Sequence, residues 1–99
     1  MSLEPMHLEE ITEELSKLQG WDELNQDFIK KTYRFLDFKE AVDFVNKIAK
    51  VSDAQNHHPK IILTYGQVII KLSTHDVEGI TQKDFELAKL IDEIFEDAI

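Results

Sequence analysis

The chain contains no cysteine, which excludes disulfide staples and thiolate zinc sites and fits a reducing compartment. Glycine and proline are scarce, three and two among 99 residues, so no linker-like or low-complexity tract exists and each occurrence is informative punctuation. Positive charge is also short: 11 Lys and Arg stand against 20 Asp and Glu, a formal net charge of −9. A nucleic-acid partner requires a basic surface that releases counterions, and an anionic membrane surface asks for the same, so neither is expected. No apolar run approaches the ~20 residues needed to span a bilayer. The acidic, charge-broken N-terminal segment lacks the basic-then-apolar pattern of a secretory signal, so a cytoplasmic location is expected, or a nuclear one in a eukaryote.

What is present suits one globular domain over residues 1–99, with 42% apolar and 31% charged residues. Met1-Ser2-Leu3 reads as an expression scar with Met6 near the natural start, and residues 1–7 are expected to be flexible. A core this small gains from self-association, so a homodimer or homotetramer is expected.

Apolar residues at Leu8, Ile11, Leu15 and Leu18 have helical spacing, with Gly20 as a C-terminal stop. Trp21 to Leu24 reads as a short strand and Asn25-Gln26-Asp27 as a turn. From Phe28 to Phe35 the pattern alternates, with Ile29, Tyr33 and Phe35 on the buried face. Asp37 and Glu40 have the spacing of a capping box. The helix that follows carries a stripe of Ala41, Val42, Val45, Ile48 and Ala49 and ends near Gln55. Pro59 forces His58 out of helical geometry. Ile61–Tyr65 and Gln67–Ser73 form a hairpin about Gly66. Thr81 caps the last helix, Asp84 occupies the capping-box position, and Phe85, Ala88, Ile91, Phe95 and Ala98 form its buried stripe. The order α-β-β-α-β-β-α predicts an α+β fold, a two-layer sandwich in which helices cover one face of a four-stranded antiparallel sheet.

Three of the four histidines fall in one stretch. A turn centred on Gly66 sets His57 opposite His75, so His57, His58 and His75 should meet at the open end of the hairpin. Three readings compete. They are polar residues at strand ends, they are zinc ligands, or they are acid–base catalysts. Adjacent histidines in extended chain point to opposite faces, which weakens the metal reading. Imidazole titrates near neutrality, which favours proton transfer. Asp84 is first a helix-cap residue, a role compatible with facing a nearby site, and Asp53 is by default a surface charge.

The motifs Asn56-His57-His58-Pro59, Tyr65, Val68, Leu72-Ser73-Thr74-His75-Asp76, Gly79 and Asp84 resemble the signature of the pterin-4a-carbinolamine dehydratase family. So does the upstream run Gly20-Trp21, Ile29, Lys31, Tyr33, Phe35, Phe38, Ala41 and Phe44. The similarity extends from Leu15 onward. It implies a lyase that uses no metal or cofactor and dehydrates 4a-hydroxytetrahydropterin to quinonoid dihydropterin, in support of tetrahydropterin recycling. His57, His58 and His75 match the family's active histidines. Asp84 matches an acidic site residue, Asp53 stands where a family glutamate contributes, and Thr74 joins them in orienting substrate. The sequence departs from the family at Lys60 and Ile61, where an acidic residue and tryptophan are common. It departs again at Leu63 in place of asparagine and at Lys31 in place of arginine. The alternative is a non-enzymatic interaction module of the same fold, a coactivator or an assembly factor. It would engage a helical protein partner through exposed apolar residues such as Phe44 and Val51.

Overall fold

The computed structural model describes residues 4–98, so the expectation for Met1-Ser2-Leu3 lies outside the described residues. Seven elements follow in the expected order: α1 (Leu8–Leu15), β1 (Asp22–Leu24), β2 (Phe28–Arg34), α2 (Phe38–Gln55), β3 (Lys60–Thr64), β4 (Gln67–Leu72) and α3 (Gln82–Ala98). A 3-10 turn, His75–Val77, lies between β4 and α3. The four strands form one antiparallel sheet in the order β1-β2-β4-β3. The fold is therefore the α+β arrangement that the alternating and helical periodicities predict.

Strand alternation sorts the sheet residues by face. Ile29 and Tyr33 of β2 and Val68, Ile70 and Leu72 of β4 are buried beneath the helices. On the other face the register aligns Lys30, Lys71 and Lys60 in one row across three strands, and Thr32, Ile69 and Ile62 in another. Tyr65-Gly66 forms a two-residue turn, because Thr64 pairs with Gln67. The hairpin register is thus one residue away from that centred on Gly66.

The helix starts are local chemistry. Asp37 adopts extended backbone and its carboxylate accepts the Glu40 N–H at 2.8 Å, which satisfies a donor that the helix leaves orphaned. α1 ends three residues earlier than its apolar spacing predicts. The Ser16 hydroxyl donates to the Glu13 carbonyl, and the Lys17 and Leu18 amides tighten into three-residue turns before Gly20 takes a φ of 81°. The chain ahead of α1 is tied down at Met6. Its N–H donates to the Ile80 carbonyl at 2.7 Å and its side chain packs on the core.

The phase of α2 differs from the expected stripe. The buried positions are Ala41, Phe44, Ile48 and Ser52, whereas Ala49 is exposed. Phe44 therefore belongs to the core and not to a docking face. Its ring lies 4.9 Å from Tyr33, 5.1 Å from Phe35 and 5.8 Å from Phe95. Val51 is half-buried against the same core. In α3 the stripe includes Leu87, and Ala98 is exposed.

One polar knot ties β2 to α3. Asp92 accepts hydrogen bonds from Trp21 Nε1 (3.0 Å), Lys31 Nζ (2.7 Å) and the Tyr33 hydroxyl. A part-buried carboxylate needs such donors to offset its desolvation. Burial first, and then the Asp92 carboxylate, push the Tyr33 phenol far above its ordinary range. Tyr33→Phe should cost about 1.5–3 kcal/mol at neutral pH, the value of a hydrogen bond to a charged group. Because Tyr33 stays neutral in the folded chain, its contribution is complete below the ordinary tyrosine value of about 10 and is lost as pH rises beyond it. Above that value the unfolded chain gains by ionising and the folded chain does not. Urea unfolding should show the stability gap between wild type and Tyr33→Phe narrowing above about pH 10. A gap that stays constant or widens contradicts this account.

Candidate active site

The site is built where α2 stops. Asn56 takes left-handed backbone (φ 51°, ψ 42°) and closes the helix, with its N–H on the Asp53 carbonyl. The His57 N–H then donates to the Ser52 carbonyl at 3.1 Å, and Pro59 keeps the chain extended into β3. Two successive histidines in this segment diverge. His57 turns inward and His58 turns out.

His57 Nε2 donates to Asp84 Oδ1 at 2.6 Å, with the His57 side chain 10% and the Asp84 side chain 0% exposed. Asp84 is the third residue of α3, and its other oxygen accepts the Thr81 N–H at 2.9 Å, which is the side-chain-to-backbone half of the expected capping box; the Asp84 N–H goes to the Thr81 carbonyl. The same Oδ2 accepts the Thr74 hydroxyl at 2.9 Å. A carboxylate has no proton to give, so the single Thr74 hydroxyl hydrogen is committed there. Thr81 is then the donor across the 2.7 Å contact between the two threonine hydroxyls, and its own oxygen accepts the Lys83 N–H at 3.2 Å. Every direction in this buried network is fixed by the carboxylate at its end.

His58 is solvent-facing. Its Nε2 donates to Asp53 Oδ1 at 2.8 Å, between side chains that are 59% and 79% exposed. His75 opens the 3-10 turn after β4. That turn is pinched at its base, where the Thr74 N–H donates to the Gly79 carbonyl at 2.7 Å. Gly79 leaves no room for a side chain, because a Cβ there would lie 2.9 Å from Pro5 Cβ. Among the described residues the His75 ring makes no protein hydrogen bond.

His57, His58 and His75 line one depression of about 290 Å³ together with Asn56, Ser73, Thr74, Asp76 and Lys83. A second depression of about 430 Å³ shares His58, Ser73 and His75 and continues past Pro59, Lys60, Lys71 and Phe28. The histidines therefore converge as expected, but not by direct strand pairing. The observed register extrapolates His57 onto Thr74, and the ladder ends at Lys60 and Lys71. His57 instead reaches across to α3. Asp53, Thr74 and Asp84 all contact or adjoin the histidines, Asp53 only from the solvent side. Lys83, Lys71 and Phe28 line the same surface and carry no motif signal, whereas Ser73 falls inside the Leu72–Asp76 motif. Correct turn placement would have set Lys71 opposite Lys60, one strand position from the site. Among the described residues no group of three or more His, Asp or Glu side chains is arranged to hold a metal ion. The arrangement offers one imidazole fixed by a buried carboxylate and two accessible ones, a set suited to moving protons.

The family model described as Pterin 4 alpha carbinolamine dehydratase matches residues 4–94. A protein of Sulfurisphaera tokodaii, provisionally named a pterin-4-alpha-carbinolamine dehydratase, is 53% identical over 85 residues, covering 86% of this chain and 90% of the relative. A Sulfolobus acidocaldarius protein with the same provisional name is 45% identical over 85 residues, covering 86% and 92%. Among solved structures, a transcriptional coactivator/pterin dehydratase from Brucella melitensis superposes with a TM-score of 0.87 at 28% identity, covering 91% of this chain and 97% of that one. A pterin dehydratase-like protein identified as a RuBisCO assembly factor in the alpha-carboxysome shares the fold alone, with a TM-score of 0.68 at 19% identity. The family match over nearly the whole chain and these identities lead to one conclusion: the chain belongs to the pterin 4 alpha carbinolamine dehydratase family.

Proposed function

We propose that the chain dehydrates 4a-hydroxytetrahydropterins to quinonoid dihydropterins by histidine acid–base catalysis and so supports tetrahydropterin recycling. The observation that carries this reading is the 2.6 Å pair between His57 and the fully buried Asp84, set in a depression that His58 and His75 also line. With Nε2–H committed to Asp84, the neutral His57 ring presents Nδ1 as its proton acceptor. Asp84 holds the tautomer and the ring plane, as a carboxylate does behind a catalytic imidazole. His75, with no hydrogen-bond partner among the described residues, supplies the proton to the leaving oxygen.

The step balances. The C4a–O bond breaks as His75 protonates the departing hydroxyl, which leaves as water. The N5 lone pair forms the C4a–N5 double bond, and the ring cation loses a proton to His57. His58, tethered to Asp53, orients the pterin. General acid–base assistance of this kind is worth about 10²–10⁴-fold, enough for a dehydration that also proceeds slowly unaided.

The interaction-module reading keeps a different surface. Leu36, Phe38 and Tyr65 are exposed, at 92%, 47% and 73%. They lie at the end of the sheet away from the histidines, where the Phe35 N–H meets the Gly66 carbonyl. The named coactivator/dehydratase from Brucella melitensis lends this second role its support, and the two roles occupy opposite ends.

Dehydration of chemically made 4a-hydroxytetrahydropterin should be accelerated equally before and after exhaustive chelation. Loss of activity together with stoichiometric zinc would overturn the acid–base reading. His57→Ala and His75→Ala should each lower turnover by at least about tenfold in protein that still folds. The His75 variant should keep its unfolding midpoint, the His57 variant should lose stability because buried Asp84 loses a donor, and His58→Ala should act chiefly on KM. Near wild-type rates in folded His57 and His75 variants would transfer support to the interaction module.

Asp84→Asn gives a sharper test. All three partners of Asp84 donate to it, and asparagine has only one accepting oxygen. If that oxygen stays with Thr74 and Thr81, the new NH₂ faces His57 Nε2 and drives the ring to its other tautomer, which removes the acceptor at Nδ1. Stability should fall by about 1–3 kcal/mol, the cost of an unmatched buried donor, and turnover by at least about tenfold. Nitrogen NMR should find the His57 proton on Nε2 in wild type and on Nδ1 in the variant. An unchanged tautomer with an unchanged rate would remove Asp84 from the mechanism.

A further inference from the structure

The larger depression beside the histidines has a wall that the acid–base reading does not use. Lys60 and Lys71 are direct cross-strand partners on the uncovered face, and Lys30 continues the row as the partner of Lys71 on its other side. Like charges placed opposite one another across strands destabilise a sheet. None of the three lysines has a carboxylate within ion-pair distance among the described residues. This is a chain with 20 acidic and 11 basic residues, so three adjacent uncompensated lysines run against its composition. Lys71 does not simply extend into water: its Nζ lies 5.1 Å from the Phe28 ring centroid, and both residues line the depression with Lys60.

The position matters as much as the charge. This depression shares His58, Ser73 and His75 with the one that holds His57. In a pterin, C4a is bonded to N5 and N5 to C6, so the C6 substituent projects from the edge that reacts. With C4a at the histidines, the orientation that turns C6 toward the shared rim of His58, Ser73 and His75 brings its side chain to the lysine-lined side.

We propose that Lys60 and Lys71 form an anion subsite that selects pterins with a carboxylate or phosphate on the C6 substituent. This inference rests on the pterin dehydratase reading and names its substrate class. The lysine row supplies the attraction, Phe28 supplies an apolar floor for the linking carbons, and Lys30 adds longer-range field from the next strand.

The test uses stable oxidised pterins that share one ring: 6-hydroxymethylpterin, its phosphate ester, and its glutamate-bearing conjugate folic acid. Binding to the full chain is followed by pterin fluorescence or by calorimetry. At low ionic strength the phosphate ester or folic acid should bind at least about tenfold more tightly than the neutral pterin, the scale expected for a charge near two lysines at a protein surface. The ranking of the two charged ligands distinguishes a phosphate site from a carboxylate site. The preference should shrink as salt rises, and it should disappear in K60Q/K71Q, whose fold is checked by its unfolding midpoint. Equal affinity for neutral and charged pterins overturns the proposal, and so does a preference that survives in K60Q/K71Q. If the double variant changes the sedimentation coefficient and not the pterin preference, the row is a contact between copies of the chain and the proposal is also wrong. Dehydration of the neutral substrate is assayed in parallel. Acceleration without a charge preference overturns the subsite alone, whereas a charge preference without acceleration overturns the dehydratase reading alone.

Discussion

The carboxylate of Asp84 is the constraint on which the histidine-bearing end of the molecule depends. It is fully buried, and a buried carboxylate persists only where donors surround it. It finds them on three separate pieces of chain: the imidazole of His57 after α2, the hydroxyl of Thr74 after β4, and the backbone of Thr81 at the start of α3. None of these pieces neighbours another in sequence except through the turn His75–Val77. One ion therefore fastens the end of a helix, the end of a strand and the beginning of another helix, and it orients an imidazole while doing so. Asp92 plays the corresponding part at the other helix surface, where Trp21, Lys31 and Tyr33 converge on it.

Much of this was legible in the sequence because the signals were local. The pairings of Asp37 with Glu40 and of Thr81 with Asp84 need only residues three apart, and both form. The alternation of Ile29 and Tyr33 gave the buried face of β2, and the density of histidines around one hairpin marked the region of the site. The failures have a common cause, which is that they were decided by distant partners. In α2 the apolar residues Val42, Phe44, Val45, Ile48 and Ala49 allow more than one helical phase. The rings of Tyr33, Phe35 and Phe95 select the phase that buries Phe44 and leaves Ala49 in water. Asp92 looks like one more acid on a charged helix face until residues 59 to 71 positions away fold against it.

The hairpin shows how small the margin is. A single-residue difference in where the turn sits moves every side chain to a different partner. Centring the turn on Gly66 correctly identified the neighbourhood of the histidines, because a neighbourhood tolerates a shift of one. It hid the Lys60–Lys71 pair, because a pairing does not. The departure at Lys60 from the family's usual acidic residue gains meaning only once Lys71 is seen beside it.

The opposite ends of the sheet carry different chemistry. Histidines, carboxylates and lysines gather where β3 begins and β4 ends, whereas Leu36, Phe38 and Tyr65 stand exposed at the turn end. The buried core between them, with Tyr33 and Val68 paired across its centre, belongs to neither set. A lineage that inherits this scaffold can change the polar histidine end while keeping the exposed apolar tip, or do the reverse, with the same core beneath both.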